Sequence, residues 1–141
     1  MEYVIDANVA LKWFLPEPHS NKADQLLDGF LHHGLRLSAP DFIVPEVGNT
    51  LCKRSGLRGE ISISDARASY TDFLLLGLPI EASSNLAESA FNFATQEKHP
   101  LYDALYIAMA LQRGCEFITS DEALVNKLGV KFPQIRRLAA L

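Results

Sequence analysis

Residues 101–121 read LYDALYIAMALQRGCEFITSD, and this one passage carries a complete helix–strand–helix step. From Leu101 to Gln112 the residues are apolar almost all round, with Asp103 the only charge. Such a segment is a helix buried on most of its sides, and Gly114 closes it. Cys115 to Thr119 is a short apolar run of strand length. Asp121 then opens a last helix that runs to Leu128. The other end of the chain repeats the pattern. Tyr3-Val4-Ile5 is a buried strand ending at Asp6, and Val9 to Leu15 is a short helix stopped by Pro16 and Pro18. Between these ends, Ser20 to His33 places Ala23, Leu26, Leu27, Phe30 and Leu31 on one helical face, with Gly34 as its stop. Leu35 to Ala39 reads as a second strand. Pro40-Asp41 opens a helix to about Ser55, ended by Gly56 and Gly59. Ile63 to Leu76, with a start signal at Ser64, and Leu86 to Glu97 are two further helices flanking a short strand at Pro79-Ile80-Glu81. Val130 to Phe132 is expected to be the final strand. The strands are short and continuously apolar, and they alternate with helices. That combination predicts an α/β fold with a parallel sheet covered on both faces.

The chain has 141 residues, enough for one domain over residues 1–141 with its own core. Hydrophobic residues make up 48% and charged residues 21%, which excludes a disordered chain. The net charge is -4, from 13 Lys+Arg against 17 Asp+Glu, which argues against a protein that holds nucleic acid through charge alone. It leaves room for a carboxylate cluster whose bound cations invert the local field. Cys52 and Cys115 are too few for a disulfide framework or a zinc site and read as small buried hydrophobes. No apolar run reaches the ~20 residues of a membrane span, and the N-terminus opens directly on a strand. The expectation is a cytoplasmic protein with no membrane partner.

Four acids stand where acids cost free energy. Asp6 follows an apolar strand, Glu46 lies among Phe42, Ile43, Val44, Pro45 and Val47, Asp103 interrupts the apolar helix, and Asp121 follows Phe117-Ile118-Thr119-Ser120. A buried carboxylate must be paired, protonated or metal-bound. No regular supply of Lys or Arg accompanies these four. Asp6 and Asp121 both lie just past the carboxyl end of a strand, where α/β sheets bind ligands. Asp103 lies in the first turn of its helix, where the dipole favours its ionised form. Oxygen ligands select a hard ion, Mg²⁺ or Mn²⁺. Each acid also has a structural account. Asp6 and Asp121 stand where N-caps stand, and Asp103 complements a helix dipole. For Glu46, several residues into an apolar helix, capping offers none.

These residues fall into motifs. Val4-Ile5-Asp6-Ala7-Asn8-Val9-Ala10-Leu11-Lys12-Trp13-Phe14 resembles the opening motif of PIN domains, in particular VapC-type toxins. Asp41 to Thr50, with Pro45-Glu46-Val47 and Asn49, resembles the second motif. Leu101-Tyr102-Asp103-Ala104-Leu105-Tyr106 resembles the third and Phe117-Ile118-Thr119-Ser120-Asp121 the fourth. The order matches, and the resemblance spans the chain. It implies a three-layer α/β/α fold with a short parallel sheet. It implies a Mg²⁺- or Mn²⁺-dependent endoribonuclease that leaves 5′-phosphate and 3′-hydroxyl ends. Carried onto this chain, the catalytic and metal-binding acids are Asp6, Glu46, Asp103 and Asp121, with Asn8, Thr119 and Ser120 supporting them. Glu122 matches a further acidic position of some relatives or simply starts its helix. As partners the resemblance implies an RNA substrate, a small antitoxin protein that covers the acidic pocket, as in a type II toxin–antitoxin pair, and a second copy of the chain in a homodimer.

Lys12, Lys53, Arg54 and Arg58 are the candidates for phosphate contacts, with Arg136 and Arg137 further away. His99 precedes the Asp103 helix and reads as a loop histidine within reach of substrate. Trp13 and Phe14 read as packed aromatics. A phosphoryl-accepting receiver domain would need paired acids after the first strand and an acid after a middle one, but the chain has Asp6-Ala7-Asn8 and Ser38-Ala39 there. An Asp-x-Asp phosphatase fails at Asn8. The remaining alternatives are a PIN nuclease that processes RNA without an antitoxin and a catalytically silent PIN binding module. Intact acids argue against the latter.

Overall fold

A computed structural model describes residues 1–141. Its centre is a five-stranded parallel sheet of β1 (Glu2–Ile5), β2 (Arg36–Pro40), β3 (Ile80–Glu81), β4 (Glu116–Thr119) and β5 (Ile135–Arg137), in the order β3-β2-β1-β4-β5. The helices are α1 (Ala7–Leu11), α2 (Ser20–His32), α3 (Ile43–Cys52), α4 (Ile63–Leu75), α5 (Ser83–Glu97), α6 (Leu101–Arg113) and α7 (Glu122–Leu128). They flank the sheet, as the apolar strands required. Val4, Ile5, Leu37, Ala39, Phe117 and Ile118 are all fully buried in the sheet, which leaves no solvent face for an alternating pattern. Helix α6 packs on β1, β2 and β4, with α5 outside it. This explains why α6 is apolar on nearly every side: Ala104 through Ala110 are all buried.

The strand order sets the position of any site. The chain winds one way from β1 to β2 and the other way to β4, so β1 and β4 flank the point where the sheet's direction of growth reverses. In α/β sheets this point, beyond the strands' carboxyl ends, is where a ligand crevice is expected. Ile5 pairs with Ile118 in register, which sets Asp6 and Thr119 side by side at that edge.

Three local expectations are corrected. The last strand is Ile135–Arg137 rather than Val130–Phe132. Gly129 ends α7 and the chain turns there, leaving Val130 98% exposed, while Ile135 and Leu138 are the residues that reach the core. Helix α4 is capped by Ser62, not Ser64. Ser62 has the extended backbone an N-cap needs, and its hydroxyl accepts from the Asp65 amide at 2.9 Å. The third helix does run on past Cys52, but Lys53–Leu57 widens into a π-helical turn that takes in Gly56, and the chain leaves it at Arg58-Gly59. The buried Ser55 hydroxyl donates to the Leu51 carbonyl at 2.7 Å there.

Candidate active site

Asp6 caps α1. Its backbone is extended and its Oδ1 accepts from the Val9 amide at 3.0 Å. Its other oxygen accepts from the Thr119 hydroxyl at 2.5 Å, and the same Thr119 oxygen accepts from the Asp121 amide at 3.0 Å. Thr119 is fully buried and so bolts the ends of β1 and β4 together. Asp121 caps α7, accepting from the Leu124 amide at 3.0 Å. The capping accounts of Asp6 and Asp121 are therefore true, and both carboxylates nevertheless sit at the crevice. A cap uses one oxygen, which leaves coordinating capacity on each carboxylate.

Glu46 is carried by the first turn of α3. Its Oε1 accepts from the Tyr106 hydroxyl at 2.6 Å across 60 residues of sequence. Tyr106 is 1% exposed. Burial, reinforced by the Glu46 carboxylate, pushes its phenol far above its ordinary range, so it is a fixed donor. Asp103 sits in the first turn of α6. Its Oδ2 lies 3.0 Å from His99 Nε2, and His99 Nδ1 lies 3.1 Å from Lys127 Nζ. Lys127 also donates to the Lys98 carbonyl at 2.8 Å. An ammonium can only donate, so His99 Nδ1 accepts and the proton rests on Nε2, aimed at Asp103.

Electrostatics tie three of the acids together. Burial raises the Asp6 carboxyl from 3.8 to about 7 against the opposing Thr119 and Val9 hydrogen bonds, and the charges of Glu46 and Asp103 raise it further. Burial likewise raises Glu46, opposed by Tyr106 and helped by Asp103. No Lys or Arg forms an ion pair with any of the four acids, and only His99 reaches one. Asp121 joins the group through Thr119 rather than through a direct charge effect. No three His, Cys, Asp or Glu side chains converge closely enough to chelate an ion by themselves. An ion here could be held only through one or two carboxylates with waters completing its shell, the manner in which proteins hold Mg²⁺.

The other sequence candidates are placed as follows. Asn8 is exposed on α1, Ser120 is partly buried between Thr119 and Asp121, and Glu122 is exposed in the first turn of α7. Lys12, only 8% exposed, pairs with Glu17 at 3.1 Å. Arg54 pairs with Glu17 at 2.7 Å and with Glu60 at 2.8 Å, and Arg58 reaches Glu60 at 3.8 Å. Lys53 is exposed at the start of the π-helical turn. Arg136 pairs with Glu116 and Arg137 with Asn126. Trp13 is packed against the core and donates to the Ala23 carbonyl at 2.8 Å, and Phe14 is packed beside it. Asp41, at the start of the second motif, accepts from the Ser83 amide at 3.0 Å and holds β2 to α5. Sequence reasoning missed Tyr106 and Lys127. The signal for Tyr106 was present, a tyrosine three residues after Asp103 on a buried helix that needs a hydrogen-bond partner. Lys127 carried none.

The chain is 28% identical over 129 residues to ribonuclease VapC3 of Pyrobaculum aerophilum, covering 90% of this chain and 95% of that one. Its fold matches the crystal structure of PAE2754 from Pyrobaculum aerophilum with a TM-score of 0.67 at 22% identity, over 100% of this chain and 91% of that one. It also matches Mycobacterium tuberculosis VapC20, described as a sarcin-ricin loop cleaving toxin, with a TM-score of 0.66 at 15% identity, over 95% and 98% of the two chains. Residues 3–128 match the PIN domain family, and the chain belongs to that family.

Proposed function

We propose that the chain is a divalent-metal-dependent endoribonuclease whose site is Asp6, Glu46, Asp103 and Asp121. The observation that carries this reading is the group of partly buried carboxylates at the β1–β4 crevice, mutually repelling and without a Lys or Arg partner. Such a group is relieved either by taking up protons or by a cation from outside the chain, and at neutral pH and above a divalent cation is the more effective of the two. The likeness to a relative named a ribonuclease supports RNA as the substrate.

Asp6 and Asp121 would hold the ion directly, and Glu46 and Asp103 would hold it or its waters. When bound, a Mg²⁺ or Mn²⁺ ion makes water easier to deprotonate and offsets charge on the phosphoryl oxygens. The chain's own contribution is placement. Thr119 fixes the Asp6 carboxylate, Tyr106 fixes Glu46, and His99 fixes Asp103, so three acids are oriented before substrate arrives. Asn8 and Ser120 would be further polar support. Cleavage of a mixed RNA pool with Mg²⁺, with Mn²⁺ and with EDTA tests the reading directly. It expects metal-dependent cleavage leaving 5′-phosphate and 3′-hydroxyl ends, and none from Asp6→Asn. A fully active Asp6→Asn protein, or cleavage undiminished by EDTA, overturns it.

We also propose that the protein is the toxin of a type II toxin–antitoxin pair, acting as a homodimer and held inactive by a small partner protein. The named relatives support this: the M. tuberculosis protein is described as a toxin. An antitoxin arginine entering the carboxylates is a physically sound inhibitor, because it supplies the cation the site lacks. Growth arrest on expression, relieved by co-expressing a small adjacent reading frame, is the expected result. An absence of arrest from active enzyme points to RNA processing instead.

A further inference from the structure

Phe42 and Tyr102 form an aromatic pair on the two helix starts that carry Glu46 and Asp103. Phe42 immediately precedes α3 and lies one helical turn before Glu46, on the same face. Tyr102 immediately precedes Asp103 in the first turn of α6. The two rings are parallel to within 8°, with centroids 4.6 Å apart. Tyr102 nevertheless keeps 61% of its surface exposed. One face of its ring is therefore covered by Phe42 and the other is open to solvent. Two rings already stacked, rigidly borne by the starts of two helices and open on one side, offer a prepared surface for a third flat ring.

The charge distribution raises the need for such a contact. Lys12, Arg54 and Arg58 are engaged with Glu17 and Glu60, and the chain as a whole carries -4. Lys53 stays exposed and unpaired, so few free cations surround the site, and a contact that does not depend on charge would add to the affinity for a polyanion here. Stacking on an aromatic face is the charge-independent alternative.

We propose that Tyr102, backed by Phe42, stacks on an unpaired nucleobase of the RNA whose phosphodiester is presented to the carboxylates. This rests on the ribonuclease reading and narrows it. A duplex hides its base faces, so the site takes single strands and loops. Tyr102 is a substrate-binding residue in this scheme, and Phe42 is a positioning residue acting through it.

The test uses short single-stranded RNAs carrying 2-aminopurine at successive positions, mixed with the full chain in EDTA so that binding is read without cleavage. Stacking quenches the probe. The expected result is quenching at one or two positions with wild type and with Tyr102→Phe, lost with Tyr102→Ala. In parallel Mg²⁺ assays, Tyr102→Ala should raise KM roughly tenfold and move kcat far less. Circular dichroism and the Mg²⁺ affinity of Tyr102→Ala should match wild type, since the side chain is exposed and is not proposed as a ligand. Active wild type with unchanged quenching and KM in Tyr102→Ala overturns the stacking assignment, and marks the pair as a surface for a protein partner or for none. Wild type that neither binds nor cleaves RNA overturns the ribonuclease reading itself.

Discussion

Asp6 answers to four neighbours at once: the Val9 amide, the Thr119 hydroxyl, and the charges of Glu46 and Asp103. Two of these stabilise its charge and two oppose it. Asp6→Asn keeps an oxygen for the Val9 amide and removes the charge, so it should abolish metal-dependent cleavage while leaving the circular dichroism spectrum unchanged. Tyr106 is the second informative residue. Its 2.6 Å bond to Glu46 is a hydrogen bond to a charged group in a buried place, worth about 1.5–3 kcal/mol. Tyr106→Phe should lower kcat by roughly tenfold or more and weaken Mg²⁺ binding measured by calorimetry, with RNA affinity little altered. His99 offers a parallel case, because its tautomer is fixed by Lys127. ¹⁵N spectra of the imidazole should show the proton on Nε2, and His99→Ala should weaken Mg²⁺ binding. These supports explain what the sequence hid. The acids were legible because each breaks a local apolar pattern. Tyr106 and Lys127 break none, and their partners lie 60 and 28 residues away.

Helix α3 carries Glu46 to Tyr106 while packed between α1 and α4, and the contact with α4 is the one a single substitution can test. Tyr70 of α4 donates to the Val44 carbonyl at 2.8 Å, and its ring lies over Gly48. A Cβ built at Gly48 would fall 2.8 Å from that ring, closer than carbon atoms pack. Close approach of the Tyr70 ring, not backbone angle, is what favours glycine here. Gly48→Ala should therefore push Tyr70 off Val44 and cost about 1–3 kcal/mol, read as a lowered Tm, and should reduce cleavage through a displaced Glu46. Unaltered stability would show that α4 gives way freely and does not set α3. Elements of this kind were legible as types and much less so as edges. The buried helix α6 follows from a long apolar run closed by glycine, and strands β1, β2 and β4 from short apolar runs between turn residues. Strand β5 was misplaced because Val130 and Phe132 present the stronger β-branched and aromatic signal, whereas Gly129 turns the chain away and Ile135 is the residue that finds the core. Strand order was not legible at all. It depends on which strands meet across the whole chain, and that order, more than any motif, brings Asp6 beside Thr119.

For the molecule as a whole, the crevice is a place where folding works against charge, and this couples stability, pH and metal. The folded chain holds the Asp6 carboxyl near pH 7 instead of 3.8, so it binds that proton more tightly than the unfolded chain does. Above about pH 4 the unfolded chain gives the proton up first. The metal-free fold then loses stability progressively until the folded group has also ionised, near pH 7. Glu46, raised in the same sense, adds to the loss. A cation that binds only the folded, ionised site reverses it by mass action. Mg²⁺ should accordingly raise Tm little at pH 5 and substantially at pH 8, with the increment growing across the interval that ends near pH 7. Asp6→Asn removes a charge from the repelling group. In EDTA at pH 8 it should melt above wild type by roughly 5 °C, and its Tm should respond weakly to Mg²⁺. The two melting curves should converge as the pH falls towards 4, where wild-type Asp6 is itself neutral. A metal-free Asp6→Asn protein that melts below wild type at pH 8 would mean that the carboxylate is stabilising in place. The crevice would then have no electrostatic need of an external cation.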